Sequence, residues 1–362
     1  MSKALLEDLA EALPAIESEA DRLDREGGFP EHAFAVLRET GAMVATLPAE
    51  LGGLGLAAGR LLAVLRLIGA GSLAVGRLYE GHVNALRLIA VYGSAAQLRR
   101  AAGDARAGHL FGIWVTGGNA PLRLLRDGLL EGEKRFASGA LHVTRALVTA
   151  LHDGAERMAI VPLGDDRRAD PTLGGLHGMR AACTGRCDFT GIRLEEEALI
   201  GGPDDYLRQP EFSAGAWRGI AVALGGVDRL VALLCEQLRA RGRADDPHQL
   251  TRIGEALIAR ETAAMWAARA ADAAEGGSME RGRMEGGDIV AMVGLARIAA
   301  EVAALDVIRL VQRGLGLAGF LCDNPAERVM RDLATYLRQP APDETLTEAA
   351  GWFSGRAMPP VR

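Results

Sequence analysis

Apolar residues follow two rhythms along this chain, and the changes of rhythm divide it. Leu5, Leu9, Leu13, Ile16, Ala20 and Leu23 recur every three or four positions, the spacing that gathers side chains on one helix face. Gly27-Gly28 ends this helix over 4–25, and Pro30 opens a short one carrying Phe34, Val36 and Leu37. After a glycine corner, LPAELGGLGL over 47–56, helical spacing runs from about Leu61 to Leu98, with breaks near Gly71 and Gly93. Within it, His82 and Asn84 in YEGHVNAL read as a polar helix face. From His109 the runs shorten and become β-rich: 110–116, 134–138, 146–151, 158–163 and 179–194. The turn pairs Asp127-Gly128, Asp153-Gly154 and Asp165-Asp166 separate them, as in a small antiparallel domain. After Gly201-Gly202-Pro203 three long apolar helices follow, at about 212–241, 248–274 and 286–313. Glycines 314, 316 and 319 break the last of them. A new helix starts at Asp323-Asn324-Pro325, carries Val329, Met330, Leu333 and Leu337, and is stopped by Pro340 and Pro342.

The pattern predicts an α+β fold that is mostly α. An N-terminal helical domain (1–108), a β-barrel-like middle domain (109–205) and a C-terminal four-helix bundle (206–345) precede a loose tail (346–362). An apolar share of 49% is that of a globular chain, and a formal net charge of -6 argues against a nucleic-acid surface. No apolar run is long enough to span a bilayer. The acidic, amphipathic start lacks a signal-peptide core, so a cytoplasmic protein is expected. Of the four cysteines, Cys183 and Cys187 fall in one expected strand, which would set their Cα atoms roughly 13 Å apart. A disulfide needs less than about 7 Å. Unpaired thiols and no metal site are therefore expected. Gly225-Gly226 lies inside a helix, where glycine allows a close helix contact at a destabilising cost.

Several stretches, taken in order, resemble the acyl-CoA dehydrogenase family of flavoproteins. The 47–56 corner matches the family's P-E-x-G-G-x-G, and the end of the chain matches its glycine corner, aromatic, Pro, Glu-Arg and Arg-Asp. Those read here Gly316, Gly319, Phe320, Pro325, Glu327-Arg328 and Arg331-Asp332. Gly178-Met179-Arg180 with Phe189 and Ile192 resembles the hairpin that closes the β domain. Gly314 to Gly319 is also a literal G-x-G-x-x-G, but it follows a helix and not a strand, which argues against a Rossmann nucleotide site.

The resemblance implies FAD, a homotetramer or dimer, an acyl-thioester substrate undergoing α,β-dehydrogenation, and a possible electron-transfer partner. It places the flavin ring at Trp114, Thr116, Phe136 and Ser138. Alternation puts Lys134, Phe136 and Ser138 on one strand face, an aromatic plate beside a hydroxyl donor. Arg241 (or Arg243), Gln249, Arg313, Gly316 and Gly319 are implied as FAD contacts, the corner serving a neighbouring subunit's cofactor. Arg218 aligns with an arginine near the catalytic carboxylate.

Two departures bear on activity. Gly117-Gly118-Asn119-Ala120-Pro121-Leu122 stands where the family has A-G-S-D. The usual base, nine residues after Arg331, is Pro340, and a second family location reads Ala216-Trp217. Glu344 is the leading replacement, with Asp343 and Glu211 as others. A flavin monooxygenase and a non-catalytic assembly subunit of the same fold remain the alternative readings. Monooxygenase relatives place a histidine after the Arg-Asp helix, whereas the last histidine here is His248.

Overall fold

The structure, a computed structural model, describes residues 2–118, 120–164, 168–170, 175–275 and 284–356. The expected Asp165-Asp166 turn, Asn119 and the last six residues fall outside them. Five helices come first: α1 (Ser2–Glu26), α2 (Glu31–Glu39), α3 (Ala58–Gly71), α4 (Leu73–Tyr92) and α5 (Ala95–Arg106). The expected α1 face buries Leu5, Leu9, Ile16 and Leu23. Ser72 caps α4 by accepting from Val75 N, and Ser94 and Gln97 form a reciprocal capping box on α5.

Two small sheets follow. The larger places β3 (Leu130–Glu131), β2 (Arg123–Leu124), β5 (Arg145–His152), β6 (Ala155–Pro162) and β9 (Leu199–Ile200) side by side, with β1 (Phe111–Trp114) also on β5. The smaller has the order β4 (Glu133–Ala137), β8 (Gly185–Asp188), β7 (Ala169–Asp170). Pairing is antiparallel except where β1 and β2 run parallel to β5. Cys183 closes a short 3-10 turn with φ 45°, while Cys187 lies in β8, and none of the four cysteines is in a disulfide.

The C-terminal half is built on α7 (Ala216–Ala240), α8 (Pro247–Glu275) and α9 (Gly286–Leu315), preceded by the one-turn α6 (Glu211–Ala214). Gly225 and Gly69 make the crossing of α7 on α3 possible. A Cβ at Gly225 would lie 2.1 Å from the Arg66 carbonyl oxygen, and one at Gly69 would lie 2.3 Å from that of Val222. Next comes α10 (Pro325–Tyr336), capped by Asn324. The stretch after it is not a loose tail. Pro342 takes the first position of α11 (Pro342–Ser354), where its missing N–H costs nothing. Ala349 and Phe353 then bury against α9.

His82 corrects the expected polar face of α4, because it is fully buried. Its Nε2 lies 2.7 Å from Met43 O and its Nδ1 accepts the Phe111 N–H at 3.2 Å. Only the neutral ring, protonated at Nε2, satisfies both. Burial lowers its pKa to about 4, against an upward pull from the Met43 carbonyl. The unfolded chain therefore takes up this proton first as pH falls below the ordinary value of 6.5. Stability present above pH 6.5 should be lost towards pH 4, by about 3 kcal/mol. Urea unfolding across that window, compared with His82→Phe, checks this. The variant should lose most of the acid slope.

Candidate active site

A cavity of about 820 Å³ opens between α4, β1, the start of α7, the N-terminal half of α9 and the α10–α11 connection. One wall is a hydrogen-bonded string. Glu80 Oε2 accepts from Arg77 Nη1 at 2.9 Å and from the Tyr336 hydroxyl at 3.0 Å, while Oε1 accepts from Asn84 Nδ2 at 2.9 Å. Asn84 Oδ1 in turn accepts from Arg218 Nη1 at 2.8 Å, and Arg218 Nη2 is bonded to Glu275. Arg87 approaches the other Glu275 oxygen at 3.7 Å.

Electrostatics fixes the charges in this string. Burial works to raise the Glu275 pKa, but the Arg218 and Arg87 charges hold it below the ordinary value. Burial and the Glu80 carboxylate push the Tyr336 hydroxyl well above its usual range, so it stays a donor. Arg218 is 4% exposed and its Nε is buried without a partner.

Glu344 and Glu211 line this cavity together with Arg218, while Asp343 is exposed and is not among its walls. Glu344, in the first turn of α11, is exposed as well. Pro340 also lines the cavity, and its carbonyl oxygen accepts from Arg297 Nη2 at 2.5 Å. Glu80, Tyr336, Glu275 and Arg297 escaped the sequence reading. The available signal was a glutamate set in the apolar periodicity of α4, one turn before Asn84.

The expected ring-binding edge is partly rearranged. A register shift between Arg135 and Ala137 puts a bulge at Phe136, whose φ is 53°. A bulge breaks strand alternation, so Lys134 and Phe136 do not share a face. Lys134 is 3% exposed and donates to Val115 O and Thr149 Oγ1 at 2.9 and 3.1 Å. Phe136 is 60% exposed. Burial lowers the Lys134 pKa to about 8. Thr116 is also exposed and lies beside the bulge, its carbonyl accepting from Arg135 N at 2.9 Å. Trp114 lies in the interior, edge-on to Phe189, with its indole N–H on the Ser138 carbonyl at 2.9 Å. An exposed aromatic beside an exposed hydroxyl fits a planar heteroaromatic ring, with Trp114 and Ser138 bracing that edge from behind.

The remaining expected cofactor residues gather elsewhere. Arg241 donates to Leu315 O and Gln237 Oε1 at 3.1 and 3.0 Å. Gln249 is buried, with Nε2 on Gly314 O at 3.4 Å and Oε1 unpartnered. Gly316 has φ 62°, Gly319 is buried and Arg313 is exposed. This group lies at the far end of α7 from Arg218, roughly 35 Å away along the helix axis. One chain does not bring the two groups together.

Residues 5–108 match the family described as acyl-CoA dehydrogenase, N-terminal domain. The chain has the acyl-CoA dehydrogenase-like fold. A 3-sulfinopropanoyl-CoA desulfinase of Paraburkholderia xenovorans is 25% identical over 375 residues, covering 96% of this chain and 94% of that one. An L-evernosamine nitrososynthase of a Micromonospora species is 34% identical over 167 residues, spanning 42% of this chain and only 32% of that protein. Among solved structures, the dibenzothiophene monooxygenase of Paenibacillus sp. A11-2, crystallised with FMN and indole, superposes with a TM-score of 0.85. It is 19% identical and each chain is covered over 98%.

Proposed function

From a chain with this fold, we propose a flavin-dependent monooxygenase acting on a small organic molecule held in the cavity beside Arg218. The observation that carries this reading is at Pro340. Dehydrogenation of an acyl thioester needs a carboxylate to take the α-proton, and the family places it there. In this chain that point of the wall is a carbonyl bonded to a guanidinium. When bound, a reduced flavin supplies the electrons and the contact with oxygen by which one oxygen atom is transferred. Thr116 and Phe136 hold the ring edge. The Glu80–Asn84–Arg218 string fixes the polar wall and keeps the Tyr336 hydroxyl protonated. The relatives that include a nitrososynthase and an FMN-bound monooxygenase favour the same class.

The remote group suits the nucleotide end of FAD from a second copy. Leu317, Phe320 and Leu321 are 84%, 52% and 53% exposed at that corner, an apolar surface that a second copy would cover. Arg241→Ala should weaken FAD binding about tenfold or more, the loss of a charge-assisted contact, and leave FMN affinity unchanged. Equal effects on both would place Arg241 outside the cofactor site.

A second reading is dehydrogenation with Glu344 as base, since that carboxylate lines the same cavity. An anaerobic panel of acyl-CoAs separates the two. The monooxygenase reading expects the bound flavin to stay oxidised with every member. Bleaching by one of them, abolished in Glu344→Gln, would establish the dehydrogenase instead.

A further inference from the structure

Among the described residues, each cation lining the cavity but one has a carboxylate within ion-pair distance. Arg218 and Arg87 share Glu275, and Arg77 behind the wall holds Glu80. Arg297, on α9, is the exception. It is half-buried and no carboxylate lies within ion-pair distance of it among the described residues. Glu301, one turn further on, is engaged by Arg338 at 2.5 Å. Glu344 and Glu348 line the cavity from α11. Its Nη2 is used by Pro340 O, and its Nε is buried with no partner. Arg218, on α7, lines the same cavity, and its own Nε is also buried and unpartnered. A half-buried guanidinium lining the cavity, with no carboxylate in contact and only the nearby Glu301 charge to offset its own, is costly unless a ligand acceptor meets its open edge.

We propose that Arg297 determines the specificity of this cavity, by binding a carboxylate or similar small oxyanion carried by the substrate. The apolar remainder, including Ile113, Val290, Val293 and Ala291, accommodates the hydrocarbon part. A planar oxyanion suits a guanidinium fork, whereas an ammonium would offer only a point charge. The inference rests on the reading that this cavity takes the substrate.

The test is calorimetric binding of benzoate, benzenesulfinate and neutral benzamide to the full chain, with and without added flavin. Benzoate or benzenesulfinate should bind at least about tenfold more tightly than benzamide. Arg297→Gln should remove that preference while leaving the benzamide affinity unchanged. Arg297→Lys, which keeps charge but not the fork, should retain part of it. Equal binding of acid and amide, no binding of either anion at millimolar concentration, or parallel losses in Arg297→Gln would each overturn the proposal. Binding measured without flavin keeps its failure distinct. A chain that discriminates the anions but takes no flavin contradicts the monooxygenase reading alone.

Discussion

Gly225→Val is expected to prevent folding. A Cβ at this position would meet three backbone atoms of α3: Arg66 O at 2.1 Å, Ala70 N at 2.5 Å and Gly69 C at 2.7 Å. Side chains can rotate away from such a contact, but a helix backbone cannot. The two helices would have to separate, unpacking the fully buried Leu65 and Val222 around the crossing. Overpacking of a well-filled interior usually costs about 1–3 kcal/mol, and here the obstacle is backbone, so even Gly225→Ala should reach the upper end. Gly254 on α8 is the internal control, since a Cβ there meets nothing within 4 Å. Gly254→Ala should stabilise by roughly 0.5–1 kcal/mol through helix propensity alone. Urea denaturation of both variants checks the contrast in sign.

Asp332→Ala should destabilise the chain by about 3–5 kcal/mol, the usual cost of removing one partner from a buried ionic cluster. Asp332 is 4% exposed on α10 and accepts from Met179 N at 2.5 Å, which ties the bundle to the β domain. Arg328 and Arg331 lie 3.6 and 3.9 Å from its oxygens, and they also grip Asp21 and Asp24 of α1. Removing the carboxylate leaves a buried N–H unmet and Arg328 with Asp21 alone. Burial outweighs the two arginines and raises the Asp332 pKa. The charge itself is therefore not the main gain, and the acceptor geometry is. Asp332→Asn, which retains an acceptor for Met179 N, should be clearly milder than Asp332→Ala. Similar losses for the two variants would contradict this ordering.

These two positions also show how far the sequence could be read. Gly225-Gly226 stands out because two helix-breaking residues interrupt an apolar stripe, and only close approach compensates for them. Arg331-Asp332 stands out because charged pairs seldom lie on a buried helix face. Helices α1 to α4 and α7 to α9 were legible because each buries one face at a steady spacing. By contrast, α11 buries only Ala349 and Phe353 of its face, and its prolines read equally well as terminators. The bulge at Phe136 was hidden because alternation assumes an unbroken strand. The polar wall was hidden more deeply. Tyr336 and Glu80 are 256 residues apart, and Arg297 lies 43 from Pro340, so no local pattern links them.

In the proposed function a flavin ring lies against the Thr116–Phe136 edge. Titration of FMN and FAD into the purified chain, followed by flavin fluorescence, tests it most directly. Saturable quenching is expected, with Phe136→Ala binding about tenfold more weakly through loss of ring stacking. Absence of binding, or a Phe136→Ala chain that binds as tightly as the parent, would contradict the account and favour a non-catalytic role for this fold.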